Sequence, residues 1–143
     1  MTQRISLTAQ AHTFIKKHLN AGDIAIDATV GNGHDILFLA QQVGENGKVF
    51  GFDIQQQAID STQLRLENHH IVGNTYLFHS SHDKMQQLIP TDIQGQVKVI
   101  MFNLGYLPGS DKSIITKTTS TLTALELSIN LLANTGIITI AAY

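Results

Sequence analysis

Four short segments of this sequence carry side chains whose types and spacing could do chemistry: DATVGNGHD at 27–35, FDIQ at 52–55, SHD at 81–83 and NLGY at 103–106. In the first, Gly31 and Gly33 follow a short apolar run and precede an amphipathic one. Glycines between a strand and a helix permit a tight turn and a close backbone approach to a ligand. Asp53 comes about 20 residues later, where a carboxylate accepting from ribose hydroxyls is expected. A ligand-free turn and an ordinary strand-end acid would leave the same residues singly, but the pair points to a nucleoside-containing cofactor. A dinucleotide fingerprint would need a third glycine where Ile36 stands, and a pyrophosphate at the helix N-terminus would disfavour the carboxylate of Asp35. Asp27 can cap the turn through the amides of residues 29–31, face a cation, or do both. The cofactor that joins adenosine to an ammonium-bearing amino acid is S-adenosylmethionine.

The other segments supply polar groups for the same crevice. Asn103 and Tyr106 place an amide and a phenol three residues apart after the apolar run VIMF. Asn103 can orient a substrate amine, and Tyr106 can stack on a planar base or close a pocket. Asp111 and Lys112 follow on the same loop and can meet substrate or each other. Ser81 and His82 suit the lining of an adenine pocket. His34 heads the helix after the glycine turn and can touch cofactor or substrate. His79, His82 and Asp83 make a poor metal site without a further ligand, and His69–His70 read as a solvated helix end. No serine sits in a G-x-S-x-G elbow, and GNGHD lacks the lysine of a phosphate-binding loop.

These groups need a scaffold that brings them together. Residues 8–20 read as a first helix, with Thr8 as cap and Ala11, Phe14, Ile15, His18 and Leu19 at helical spacing. Short apolar runs at 24–28, 48–53, 75–79, 97–102 and 137–142 read as strands. Helical stretches fall at 34–43, 56–68, 83–89 and 118–132. In the second of these Ala58, Ile59, Leu64 and Leu66 are the packing candidates. In the last, Leu122, Leu125, Leu127, Ile129, Leu131 and Leu132 are, with NTG at 134–136 as the following turn. Continuous apolar strands alternating with helices mean a doubly wound, mostly parallel α/β sheet in three layers, α/β/α. Ligands in such sheets bind beyond the C-terminal strand ends, and all four segments fall there.

The 143 residues carry 9 Lys+Arg, 11 Asp+Glu and 7 His, a net charge of −2, with 43% apolar and 14% charged residues and no cysteine. That length suits one domain with a real core. The lack of cysteine excludes disulfides, thiolate catalysis and cysteine-ligated metal sites. The first residues lack the basic-then-apolar pattern of a secretory signal, and no apolar run reaches a membrane span, so a cytoplasmic location is expected. After Lys117 the only charged side chain is Glu126, and the sequence stops at ITIAAY, inside an expected strand. The expectation is a single cofactor-binding domain, 1–143, whose last sheet segment is missing.

DATVGNGHD, VFGFDIQ, SHD and FNLGYLPGSDKSI together resemble, in order and over nearly all of residues 5–142, a family of rRNA methylases whose characterised members are MnmM-type tRNA methyltransferases. The resemblance implies a Rossmann-like class I S-adenosylmethionine-dependent methyltransferase. It implies methyl transfer to the 5-aminomethyl amine of wobble (2-thio)uridine in tRNA. Thr29 stands where the general class pattern has its first glycine, as is usual in this family. NLGY looks like a variant of the N-P-P-Y motif of amino-directed methyltransferases, with Leu104 and Gly105 replacing the prolines. By motif, the cofactor residues are Asp27, Thr29, Gly31, Asn32, Gly33, His34 and Asp35, then Asp53, Ile54 and Gln55, then Ser81 and His82, and Asn103. Asn103, Tyr106 and Asp111 are expected to act on the substrate, with no metal. Family members continue beyond position 143, which fits the missing sheet segment. The expected partners are a tRNA anticodon loop, met by Lys84, Lys112, Lys117, Arg4, Lys16 and Lys17, and a second copy of the chain, with no membrane. The competing readings are an rRNA or small-molecule amine methyltransferase, a cofactor-binding domain without turnover, and an NAD-linked enzyme.

Overall fold

The computed structural model describes residues 5–104 and 118–142. Five parallel strands lie in the order β3-β2-β1-β4-β5: β1 (Ile24–Asp27), β2 (Lys48–Asp53), β3 (Thr75–His79), β4 (Val97–Leu104) and β5 (Leu132–Ala142). The chain steps outward from β1 to β3 and then returns across β1 to place β4 and β5 on its other side. The strand order therefore reverses between β1 and β4, which opens a crevice beyond their C-terminal ends.

The alternation of strand side chains builds two apolar layers. Ala25, Val49, Val99 and Met101 face α1 (Leu7–Lys16) and α2 (His34–Val43). Ile26, Phe50, Phe52, Ile100 and Phe102 face α4 (Met85–Leu88) and α5 (Thr118–Leu131). Both faces are covered, so the strands read as unbroken apolar runs rather than alternating ones. On α2 the buried stripe is Ile36, Leu39, Ala40 and Val43, the spacing of one helix face. Burial of Ile36, Leu39 and Val43 contributes about 1.5–3 kcal/mol each. The third helix, α3 (Gln56–Asn68), packs through Thr62 and Leu66. Among the described residues no helix is long and apolar enough to cross a membrane.

The expected elements are present, with local corrections. The first helix starts at Leu7, not Thr8, because Ser6 holds extended backbone angles and its hydroxyl accepts from the Ala9 N–H at 3.1 Å. It stops at Lys16, and Leu19 reaches the core from the turn beyond it. Leu64 is exposed, as are Leu122 and Ile129 on α5; the expected Leu131 is buried, beside Ala124 and Ser128. Asn134–Gly136 does not end an element. Val97 pairs with Leu132 and Val99 with Ile137, so residues 133–136 bulge out of β5 opposite Lys98 alone. The Lys98 ammonium donates to the Thr135 hydroxyl there at 2.7 Å.

Candidate active site

Three strand ends converge on the glycine turn. After β1 the chain turns through Gly31 (φ 53°) and Gly33 (φ 86°) into α2. A Cβ on Gly33 would lie 2.7 Å from the Thr62 hydroxyl oxygen of α3, so this position excludes side chains by backbone angle and by contact. From α3 the Thr62 hydroxyl donates to the Gly31 carbonyl at 3.3 Å and the Arg65 Nε–H to the Asn32 carbonyl at 2.9 Å. Neither Thr62 nor Arg65 was singled out by sequence, because only the fold brings α3 alongside the turn.

The Asp53 carboxylate fixes β2 to that turn. One oxygen accepts from the Gly31 N–H and the other from the Gln55 N–H, both at 2.9 Å. Ile54, next to it, is exposed at the crevice, and its carbonyl accepts from His79 Nε2 at 2.9 Å. On the β4 side, the Asn103 N–H donates to the Thr29 hydroxyl at 2.7 Å. Asn103 thus stands across the crevice from Asp53, with β1 between them. Its side-chain N–H contacts Asp35 at 3.4 Å, and its side-chain oxygen is buried with no hydrogen-bond partner.

Asp27 is fully buried. One of its oxygens accepts from the Thr29 N–H at 3.1 Å and the other has no partner. Burial, and next the nearby charge of Asp35, push its pKa up to about 8. One oxygen therefore caps the turn, and the other is left without a hydrogen-bond partner. His82 donates from Nδ1 to the Ala28 carbonyl at 3.1 Å and leans on Phe102 at 5.5 Å between ring centres. Its burial holds the imidazole below its ordinary pKa. The neutral ring therefore leaves Nε2 as an acceptor. Ser81 stands at the N-cap position of the 3-10 turn that carries His82, without a side-chain cap hydrogen bond.

The adjacent residues His34 and Asp35 part company. His34 is exposed at the head of α2, whereas Asp35 is buried and points to the β4 side. One of its oxygens accepts from His12 Nε2 at 2.7 Å. His12, on α1, was missed by sequence because nothing in its spacing links it to the glycine turn. Tyr106 and Asp111, both expected to act on substrate, lie outside the described residues, as do Arg4, Lys112 and Lys117. Lys16, Lys17 and Lys84 are exposed. Among the described residues no group of three or more His, Cys, Asp or Glu is placed to hold a metal.

Residues 49–143 match the family model described as "Putative rRNA methylase". Over 98% of its length the chain is 38% identical to the chloroplastic tRNA (mnm5s2U34)-methyltransferase of Arabidopsis thaliana, of which it spans 53%. A Clostridium thermocellum protein of the same description as the family superposes with a TM-score of 0.86 at 44% identity, covering 98% of this chain and 73% of that one. A Streptococcus mutans protein solved in complex with SAH (S-adenosylhomocysteine) gives 0.81 at 34% identity, with the same coverage. The chain thus spans about half of the curated relative and nearly three quarters of the solved ones. By sequence over most of its length and by fold throughout, it belongs to the rRNA-methylase family.

Proposed function

We propose that the chain binds S-adenosylmethionine in the crevice between Asp53 and Asn103 and transfers its methyl group to an amine, that of a 5-aminomethyl wobble uridine in tRNA. The observation that carries the reading is the convergence on one turn of Asp53, Asp27 and Asn103, each with a distinct task. Asp53, held by two backbone N–H groups, retains lone pairs for a ribose diol. The orphaned oxygen of buried Asp27 fits the cationic amino-acid end, because a buried carboxylate without a partner is costly until a cation or donor meets it. Exposed Ile54 and the His82 ring suit the adenine. Asp35 at the head of α2, by contrast, leaves no favourable place for a pyrophosphate. This donor set fits S-adenosylmethionine and not a dinucleotide.

The bound cofactor would supply a methyl group on a positively charged sulfur, and that charge is lost on transfer, so no strong acid is needed. The chain's own residues then work by placement. The unpartnered oxygen of Asn103 accepts an N–H of the amine and so aims the nitrogen lone pair. An amine arriving as an ammonium would first give one proton to solvent; its freed lone pair would then take the methyl group as the methyl–sulfur bond breaks, and the methylated nitrogen would keep the positive charge. Asp111 and Tyr106 are proposed to complete the amine and base contacts. The tRNA reading is supported by the curated relative's name and by a target base that offers a planar face for stacking. Lys84, at the crevice end of the sheet, can meet a backbone phosphate.

Calorimetric titration with S-adenosylhomocysteine should show one site, and the Asp53→Ala variant should bind about 30-fold or more weakly, as expected when charge-assisted hydrogen bonds are lost. Nucleosides from tRNA incubated with the chain and S-adenosylmethionine should then show 5-aminomethyl-2-thiouridine one methyl heavier. Unchanged cofactor affinity in Asp53→Ala would overturn the site. Methylation of rRNA or of free amines alone would replace the tRNA substrate.

A further inference from the structure

Beside the cofactor crevice lies a cavity of about 270 Å³ between the first turns of α1 and the ends of β4 and β5. Its wall includes Phe14, Ala11, Met101 and Ile140, and its polar groups include Asp35 and Asn103. The volume is just below the ~300 Å³ at which ligand pockets usually begin, so it suits one small planar group rather than a whole cofactor. Phe14 is 49% exposed although it belongs to the apolar side of α1. Its ring lies tilted against that of His18, 4.6 Å between centres, and a half-exposed aromatic ring beside a polar floor suits stacking by a base.

Asp35 is held at this floor by more than its helix. His12 donates to one carboxylate oxygen, and its ring stacks on Phe38 at 3.9 Å with the planes 6° apart. The Phe38 ring in turn lies 6.0 Å under the Lys16 ammonium. The His12 and Asp35 side chains are only 21% and 9% exposed. The other oxygen of Asp35 is within 3.4 Å of the Asn103 amide. The carboxylate is therefore fixed in direction, next to the group proposed to aim the amine.

We infer that Asp35 is a substrate-recognition residue rather than a cofactor ligand, the counter-charge for the ammonium form of the arriving amine, and that His12 is the positioning residue that holds it. This rests on the amine-methyltransferase reading above. An alkylamine is largely protonated in neutral water, as the lysine side chain is, so the substrate arrives as a cation. A pre-aimed carboxylate in a partly dry cavity selects that cation over a neutral arm of equal size, because a hydroxyl cannot replace the charge. The result is a choice of substrate by modification state: the aminomethyl arm is admitted, and its hydroxymethyl counterpart is not.

The test uses three anticodon stem-loop RNAs carrying 5-aminomethyluridine, 5-hydroxymethyluridine or uridine at the wobble position. Their binding to the chain saturated with S-adenosylhomocysteine is read by fluorescence anisotropy. The chain should prefer the amine over the hydroxyl by about 10-fold. Asp35→Asn should reduce that ratio to about one, with S-adenosylhomocysteine affinity within about 3-fold. His12→Phe, which keeps the stacking on Phe38 but removes the donor, should lower the ratio severalfold, and His12→Gln, which restores a donor, should recover most of it. An Asp35→Asn variant that keeps the full ratio would overturn the inference. Should that variant fail to fold in thermal melts, an unchanged ratio in His12→Phe would do the same. If the unmutated chain neither methylates the amine RNA nor prefers it, the amine-methyltransferase reading falls first. Methylation with no preference in binding or in initial rate removes the Asp35 assignment alone.

Discussion

Asn103→Ala is expected to lower the rate of methyl transfer at saturating substrate by about 100-fold, or about 2.7 kcal/mol of transition-state stabilisation, while leaving cofactor affinity nearly unchanged. The separation follows from which atoms the residue uses for what. Its backbone N–H, which ties β4 to the Thr29 hydroxyl, survives the substitution. The turn that holds the cofactor therefore keeps its shape. What is lost is the side-chain oxygen with no partner of its own and the long amide contact to Asp35. Removing an unsatisfied acceptor costs the free protein little, so the thermal midpoint should move by only a few degrees. The loss should appear in kcat and in kcat/KM together, because orienting a lone pair matters most at the transition state. Single-turnover rates measured beside S-adenosylhomocysteine titrations check both halves. A full rate in the variant would remove Asn103 from the chemistry.

Much of this site was legible in the sequence because its parts are local. Gly31 and Gly33 announce a turn by residue type, and Asp53 announces itself by its distance from them. The bounds of α2, β2, α3 and β3 follow from apolar periodicity and from the glycines that punctuate it. What sequence does not carry is contact between elements that the topology alone unites. His12 meets Asp35 only because α1 lies against α2 on the same face of the sheet as Ala25 and Val99. Thr62 and Arg65 reach the glycine turn only because α3 follows β2 to that side. Thr8 and Ser6 both offer a capping hydroxyl, and backbone geometry rather than residue type selects Ser6. NTG at 134–136 has turn chemistry, yet pairing with β4 holds on both sides of it, and residues 133–136 form a bulge within β5. Leu64, Leu122 and Ile129 show the limit of counting apolar residues: a helix face is defined by its neighbours, and these point away from them.

Asp27→Asn is expected to change both stability and cofactor binding, with opposite signs. In the free protein Asp27 is fully buried beside the charge of Asp35, and its pKa rises from 3.8 to about 8. Between those values the folded chain keeps a proton that the unfolded chain releases. The stabilisation associated with that proton is fully present below pH 4 and is lost as the pH climbs towards 8, by at most about 1.4 kcal/mol per unit. Asparagine has no proton to lose and its oxygen can still accept from the Thr29 N–H. The variant should therefore equal the parent in urea melts near pH 4, exceed it by a few kcal/mol at pH 8, and show a flatter pH profile. Binding runs the other way. A cation placed against the free oxygen favours the ionised carboxylate, so S-adenosylmethionine should bind with release of up to one proton near pH 7, and more tightly as pH rises to 8. In Asp27→Asn that proton release should vanish, and affinity at pH 8 should fall about 10- to 100-fold. Calorimetry in buffers of different ionisation enthalpy measures the proton directly. A variant that binds as tightly as the parent, with the same proton release, would show that the orphaned oxygen of Asp27 does not face the cofactor's cationic end.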